Sequence, residues 1–135
     1  MTSTDNVEIV RRAYVAFNEG GFAAADARGL LSDDLVFEEP PEQPAPRVAR
    51  GRTESLAMAG QFDEAWEKHS SEIEEMRELE DGRVFVLTIE HFRGRDGLVV
   101  DQPCGMIFTL RNGEIARFQA LWERATAAKV AGVSL

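Results

Sequence analysis

Three dipeptides in the second half of the chain constrain its fold more than any other feature: Asp81-Gly82, Asp96-Gly97 and Asn112-Gly113. Each accepts positive φ at low cost and each lies between runs of β-forming residues. Together they predict three two-residue hairpins joining four antiparallel strands, a scaffold from Arg83 to Glu123 that the rest of the chain must cover. The strand before the first turn is contested. Ile73, Met76 and Leu79 recur at every third residue, as on a helix face, whereas a hairpin at Asp81-Gly82 needs a strand on both sides. The hairpin decides it, and Ser71 to Glu80 reads as strand. Val84 to Arg93 places Phe85, Leu87, Ile89 and His91 on one face and Val84, Val86, Thr88 and Glu90 on the other. Leu98 to Leu110 aligns Gln102, Cys104, Met106 and Phe108, and Ile115 to Trp122 aligns Phe118, Ala120 and Trp122. Strands this long bend, with Gly94, Pro103 and Gly105 as the expected bend points.

The first half reads as the covering layer. Residues 5 to 19 form a helix, with Asp5 and Glu8 spaced as a capping box and Gly20-Gly21 closing the other end. Val7, Val10, Tyr14 and Phe17 share its apolar face. A second helix runs from Phe22 to Leu31, followed by a short strand from Leu35 to Glu39 that Pro40-Pro41 stops. The proline-rich segment up to Arg50 is a surface rim. From Gly51 to about Lys68 the chain is helical, with Leu56, Ala59, Phe62 and Trp66 as its stripe. A bent sheet wrapped round these helices leaves an open-ended pocket, and the tail from Arg124 to Gly132 is expected as a short helix near its mouth.

At 135 residues the chain is one domain, 1–135. A net charge of −9 without any basic cluster argues against nucleic-acid phosphate and anionic membrane as partners. The lone Cys104 calls for no disulfide, no apolar leader opens the sequence, and no run is long enough to span a bilayer, so a cytoplasmic location is expected. The sequence has no metal-ligand spacing, phosphate-binding glycine loop or serine elbow, so the expected chemistry is independent of metal and cofactor.

The order helix, helix, short strand, helix, four-stranded meander resembles the nuclear transport factor 2-like superfamily, and within it the SnoaL-like and ketosteroid isomerase-like proteins. The residues that carry this are Val7 to Tyr14 with Phe17-Asn18-Glu19-Gly20, then Ser32 to Phe37, Arg50-Gly51-Arg52, Val100-Asp101-Gln102-Pro103, Phe108 to Ile115 and the closing Arg124 to Gly132. The resemblance implies an α+β cone, a curved and mainly antiparallel sheet wrapped around three helices from the N-terminal half. It also implies isomerase, cyclase or dehydratase chemistry on a small hydrophobic molecule. Carried over by position, the isomerase base falls on Glu39, just before Pro40. The places of its two oxyanion donors fall on Ala13, one residue from Tyr14, and on Met106, so both donors are missing.

Glu39 shares its strand face with Leu35 and Phe37, where a desolvated carboxylate would have a raised pKa and act as a general base; if the strand ends one residue early it sits in water beside Glu38. His91, on the face of Phe85, Leu87 and Ile89, is the second catalytic candidate; a bulge would turn it to solvent or to a subunit interface. His69, after the third helix, reads as a structural partner of the helix dipole. Tyr14, Phe37, Phe62, Trp66, Met106, Phe108, Phe118 and Trp122 are the candidate ligand contacts, and Cys104 reads as an inert core thiol. Val84, Val86, Val99 and Ile107 make an apolar outer sheet face, from which a homodimer is expected, as the resemblance also implies. Two readings from other classes stay open: a non-catalytic binder of a small apolar ligand, and a dimeric association module whose cone is filled by its own side chains.

Overall fold

The computed structural model describes residues 3–135. One six-stranded sheet organises it, in the order β2-β1-β6-β5-β4-β3. The strands are β1 (Leu31–Glu38), β2 (Val48–Arg50), β3 (Lys68–Glu78), β4 (Val84–Arg93), β5 (Val99–Arg111) and β6 (Glu114–Leu121). β1 runs parallel to β6 and every other pairing is antiparallel. The helices are α1 (Ser3–Ala27), α2 (Arg52–Glu64) and α3 (Arg124–Ala131). With α1 and α2 inside the curved sheet, the fold is the α+β cone.

The expected turns form with one difference in length. Asn112 and Gly113 both have positive φ (53° and 78°) and close a two-residue hairpin between Arg111 and Glu114. At the other two turns the flanking backbone pairs through Leu79 N–H to Arg83 O and Gly94 N–H to Leu98 O. Each is therefore a three-residue loop with glycine last, at φ 89° for Gly82 and 88° for Gly97. The threefold spacing of Ile73 and Met76 also has a cause. A register shift between Ile73 and Glu75 adds a residue to β3, so both side chains face the same core three positions apart.

The two expected N-terminal helices form as one assigned helix broken at Gly20 (φ −153°, ψ 19°) and Gly21 (φ 75°, ψ −166°). Its second segment ends at Ala27, leaving Leu31 to start β1. The helix already includes Ser3, and the side chain of the expected cap, Asp5, lies outside the described residues. α2 stops at Glu64, so Trp66 falls in the connection and Lys68 in β3.

The largest correction concerns which face of β4 is inside. Val84 and Val86 belong to the main core with Val10, Tyr14, Leu35, Met106 and Phe108, whereas Phe85 and Ile107 lie on the opposite face. That outer face is not bare, because α3 packs on it, placing Ala127, Ala128 and Ala131 against Phe85, Ile107 and Leu121. The tail helix therefore covers the back of the sheet. Its close approach requires Gly105, where an added Cβ would sit 2.3 Å from that of Ala127. Of the four residues expected to form an apolar outer patch, Val84 and Val86 are in the inner core and Ile107 is under α3. Only Val99 is exposed, so the apolar outer face from which a homodimer is expected reduces to that residue.

Candidate functional site

Within the cone, α1, α2 and the inner sheet face enclose an open-ended, largely apolar cavity of about 130 Å³. A single water needs roughly 10–15 Å³ by this measure, so the space suits a small organic molecule. Tyr14, Phe37, Phe62, Met106, Phe108, Phe118 and Trp122 line it, as do Ala13 and Cys104. Trp66 is not among the lining residues. It lies against Phe92 at 4.9 Å between ring centroids. The apolar wall is continuous because Phe22 stacks on Phe37 at 5.6 Å, Phe37 meets Phe118 at 5.1 Å, and Phe118 meets Phe108 at 4.7 Å.

The inward parity of β4 brings Glu90 to this wall, and β3 brings His69 and Ser71. Ser71 lies directly across from Glu90, and His69 opposite Phe92, so His69 reaches Glu90 diagonally across the ladder. Glu90 is 4% exposed. Its Oε1 accepts hydrogen bonds from Ser71 Oγ (2.7 Å) and His69 Nε2 (2.7 Å), and its Oε2 accepts one from Thr88 Oγ1 (2.6 Å). The other ring nitrogen of His69, Nδ1, donates to Asp63 Oδ1 at 3.0 Å from the last turn of α2. With both nitrogens donating to carboxylates, the ring is an imidazolium. Burial opposes that charge, but the hydrogen bonds to Asp63 and Glu90 outweigh it and push the pKa up to about 9. Phe92 stacks on the ring at 4.3 Å, and Phe17 and Phe62 meet it edge-on at 5.0 and 5.8 Å. Asn18 of α1 holds β3 in place, pairing its side-chain amide with the N–H and C=O of Ser71 at 2.8 and 2.9 Å.

Tyr14 also reaches the cavity. It is 6% exposed, and its hydroxyl has no partner among the described residues. Burial, then the nearby charge of Glu90, pushes its pKa well above the ordinary phenol value. A neutral O–H is therefore buried beside the cavity wall, one residue from Ala13, where the place of an isomerase oxyanion donor falls.

Neither expected catalytic residue has the expected environment. Glu39 borders the cavity just past the end of β1, but both its oxygens are held by Arg47, with Oε1 to Nε at 3.1 Å and Oε2 to Nη2 at 2.9 Å. Oε1 also accepts from Arg47 N and Gln43 Nε2. The hydrogen bonds from Arg47 hold the carboxyl below its usual range. Glu39 thus closes the base of the 39–47 loop as an anion, and the raised pKa expected of a base is absent. The loop is tethered further along, where Glu42 accepts the backbone N–H groups of Trp122 and Glu123 at 3.3 and 3.0 Å. His91 is on the outer face. It bridges Asp101 at 2.6 Å and Glu72 at 2.8 Å, and those contacts raise its pKa. His69 and Glu90, which were not expected at the site, line the cavity instead. Cys104 is buried, and burial pushes its thiol up to about 12, which makes it inert at neutral pH. Among the described residues no group of three or more His, Cys, Asp or Glu is placed to hold a metal ion, and no helix is long and apolar enough to cross a membrane.

The model of the SnoaL-like domain family matches residues 10–118. Among solved structures, the chain is similar to Bal32a from a soil-derived mobile gene cassette, at 22% identity over 96% of this chain and 97% of that one, with a TM-score of 0.78. It is similar to a protein of Jannaschia sp. CCS1 provisionally assigned as a SnoaL-like polyketide cyclase, at 19% identity, 95% and 91% coverage and a TM-score of 0.73. It is also similar to a protein of Catenulispora acidiphila DSM 44928 with a ketosteroid isomerase-like fold in complex with trimethylamine, at 16% identity, 94% coverage of both chains and a TM-score of 0.72. At these identities the likeness establishes the fold alone. A search of curated protein sequences returns no match.

Proposed function

The chain belongs to the SnoaL-like domain family, and from that premise we propose that it is a cofactor-independent enzyme moving a proton on a small hydrophobic substrate. The reaction would be of isomerase, cyclase or dehydratase type. The observation that carries this reading is the Glu90–His69–Asp63 chain, set into the wall of an otherwise apolar cavity with the unpartnered Tyr14 hydroxyl buried nearby. Among the described residues Glu90 Oε2 accepts only from Thr88, which leaves a lone pair for substrate. In this mechanism Glu90 takes a proton from a carbon next to a carbonyl. The C–H bond breaks, an O–H bond forms on Glu90, and the electron pair moves onto the carbonyl oxygen. Tyr14 O–H donates to that oxygen as the charge develops. Glu90 then returns the proton at a second carbon. His69 stays charged between two carboxylates and fixes the orientation of Glu90, and the apolar wall excludes competing water. The provisional cyclase assignment of one neighbour and the trimethylamine complex of another support small-molecule chemistry in such a cone.

Solvent exchange tests this without knowing the substrate. Hydrophobic ketones and β-ketoesters incubated with the protein in D2O should exchange their α-protons, read by NMR. Glu90→Gln should slow the exchange by roughly two to four orders of magnitude, the usual scale of general base catalysis. Exchange that is absent across the panel, or equal in the variant, would refute the assignment. The second reading, a non-catalytic binder, draws on the complete use of both His69 nitrogens, which suits a static network; binding without exchange would favour it.

A further inference from the structure

The charges lining the cavity do not balance. Asp63 and Glu90 share a single cation, His69, and both of its N–H groups are committed to them. Glu39, also at the wall, is matched by Arg47. No arginine or lysine is among the described residues that line the cavity. Two carboxylates thus share one cation at the rim of an otherwise apolar cavity, where charge is costly in proportion to its burial. The pair is accessible in part, since the Asp63 side chain is 33% exposed and among the described residues its Oδ2 has no hydrogen-bond partner. The Tyr14 hydroxyl, buried near Glu90, has no partner among the described residues and brings no counter-charge. The rest of the wall is aromatic, with Phe22, Phe37, Phe108 and Phe118 in one connected cluster. Aromatic faces attract cations and repel anions. The net charge of −9 adds a long-range field of the same sign.

We propose that the cavity selects its ligand by charge and takes a compact apolar monocation, an organic ammonium, in preference to its neutral counterpart, while refusing carboxylates. The ammonium supplies the missing counter-charge to Asp63 and Glu90, and its hydrocarbon body lies against the phenylalanine wall. This rests on the reading of the cavity as a small-molecule site and adds the class of molecule.

The test uses three probes with one skeleton: phenethylammonium, 2-phenylethanol and 3-phenylpropionate, titrated calorimetrically into the full chain at pH 7. The ammonium should bind at least about tenfold more tightly than the alcohol, the combined scale of a partly desolvated ion pair and a cation–π contact. The carboxylate should be the weakest of the three. Glu90→Gln removes one carboxylate charge while keeping the shape and should erase most of the ammonium's advantage over the alcohol, read as the ratio of the two affinities. Asp63→Asn, at a partly exposed position, should do the same and keeps the test valid if Glu90→Gln does not fold. Equal or tighter binding of the alcohol, or an ammonium preference that survives both substitutions, overturns the charge inference and leaves the cavity reading standing. Failure of all three probes to bind overturns the cavity reading, and this inference with it.

Discussion

Replacing His69 by Asn removes the one cation between Asp63 and Glu90 while keeping a polar side chain on the same strand. The pKa of His69 rises from the ordinary 6.5 to about 9 in the folded protein. A group whose folded pKa lies above its unfolded value stabilises the fold fully below the unfolded pKa. That contribution is lost as pH rises through the folded pKa. The window is therefore pH 6.5 to about 9, and the stabilisation lost across it is ~3 kcal/mol. The ring is 11% exposed, so solvent screening removes little of this. With a urea m-value of about 1.5 kcal/mol/M, the midpoint difference between wild type and His69→Asn should shrink by about 2 M between pH 6 and pH 10. Taking the difference matters because His91 also has a raised pKa, but it is common to both proteins and cancels. Cys104 titrates near 12, above the window. NMR titration of the His69 ring proton gives the same quantity directly. A difference that stays constant from pH 6 to 10, or a ring titrating near 6.5, would refute the bridged imidazolium.

Tyr14→Phe should stabilise the protein by about 1 kcal/mol, because a buried hydroxyl without a partner carries an uncompensated desolvation cost; thermal melting reads this as a rise of a few degrees, with slower carbonyl exchange as the functional cost. Glu39→Gln should destabilise by about 1 kcal/mol at pH 7, since it removes the anion that Arg47 grips. Glu39 has a lowered pKa in the folded state, so this difference should vanish as pH falls through that value, and urea titrations from pH 7 down to 3 follow it. Gly105→Ala should cost about 1–3 kcal/mol by driving α3 off the sheet, and adding Ala127→Gly should recover part of the loss in the same unfolding assay.

The cone was legible because its signals are local. Glycines after Asp or Asn fix the turns, and Gly20-Gly21 breaks the first helix whatever lies above it. The alternation of β5 and β6 was enough to bring Met106, Phe108, Phe118 and Trp122 to one wall. β4 was not decidable in this way. Its two faces, Val84-Val86-Thr88-Glu90 and Phe85-Leu87-Ile89-His91, are about equally apolar because both are covered, one by the inner core and the other by α3. Alternation alone predicts His91 inside and Glu90 outside, and the structure has the reverse. The pairing of His69 with Glu90 was hidden by the ending of α2. The helix stops at Glu64 rather than near Lys68, which puts His69 on a strand with a side chain facing inward. The available signal was the strand predicted from Ser71, since its extension by two residues puts His69 on the same face as Ser71.

Glu39 and Glu90 show why a position does not carry a chemistry by itself. Both are nearly buried carboxylates at the edge of the same cavity, and the place of the isomerase base falls on Glu39. Arg47 approaches Glu39 with a guanidinium fork and a backbone N–H, and Gln43 adds a further donor. Removing a proton from substrate would require that cluster to give up a charge-assisted clasp, at a cost of roughly 1.5–3 kcal/mol per bond. Glu90 has two hydroxyls and one imidazolium, and its Oε2 meets only Thr88, whose hydroxyl can turn as the charge changes. Its cation is shared with Asp63, so protonating Glu90 leaves His69 paired and leaves no orphaned charge behind. In the proposed mechanism proton transfer falls to the carboxylate whose cation keeps a second anionic partner when the charge changes, and that carboxylate is Glu90 of β4.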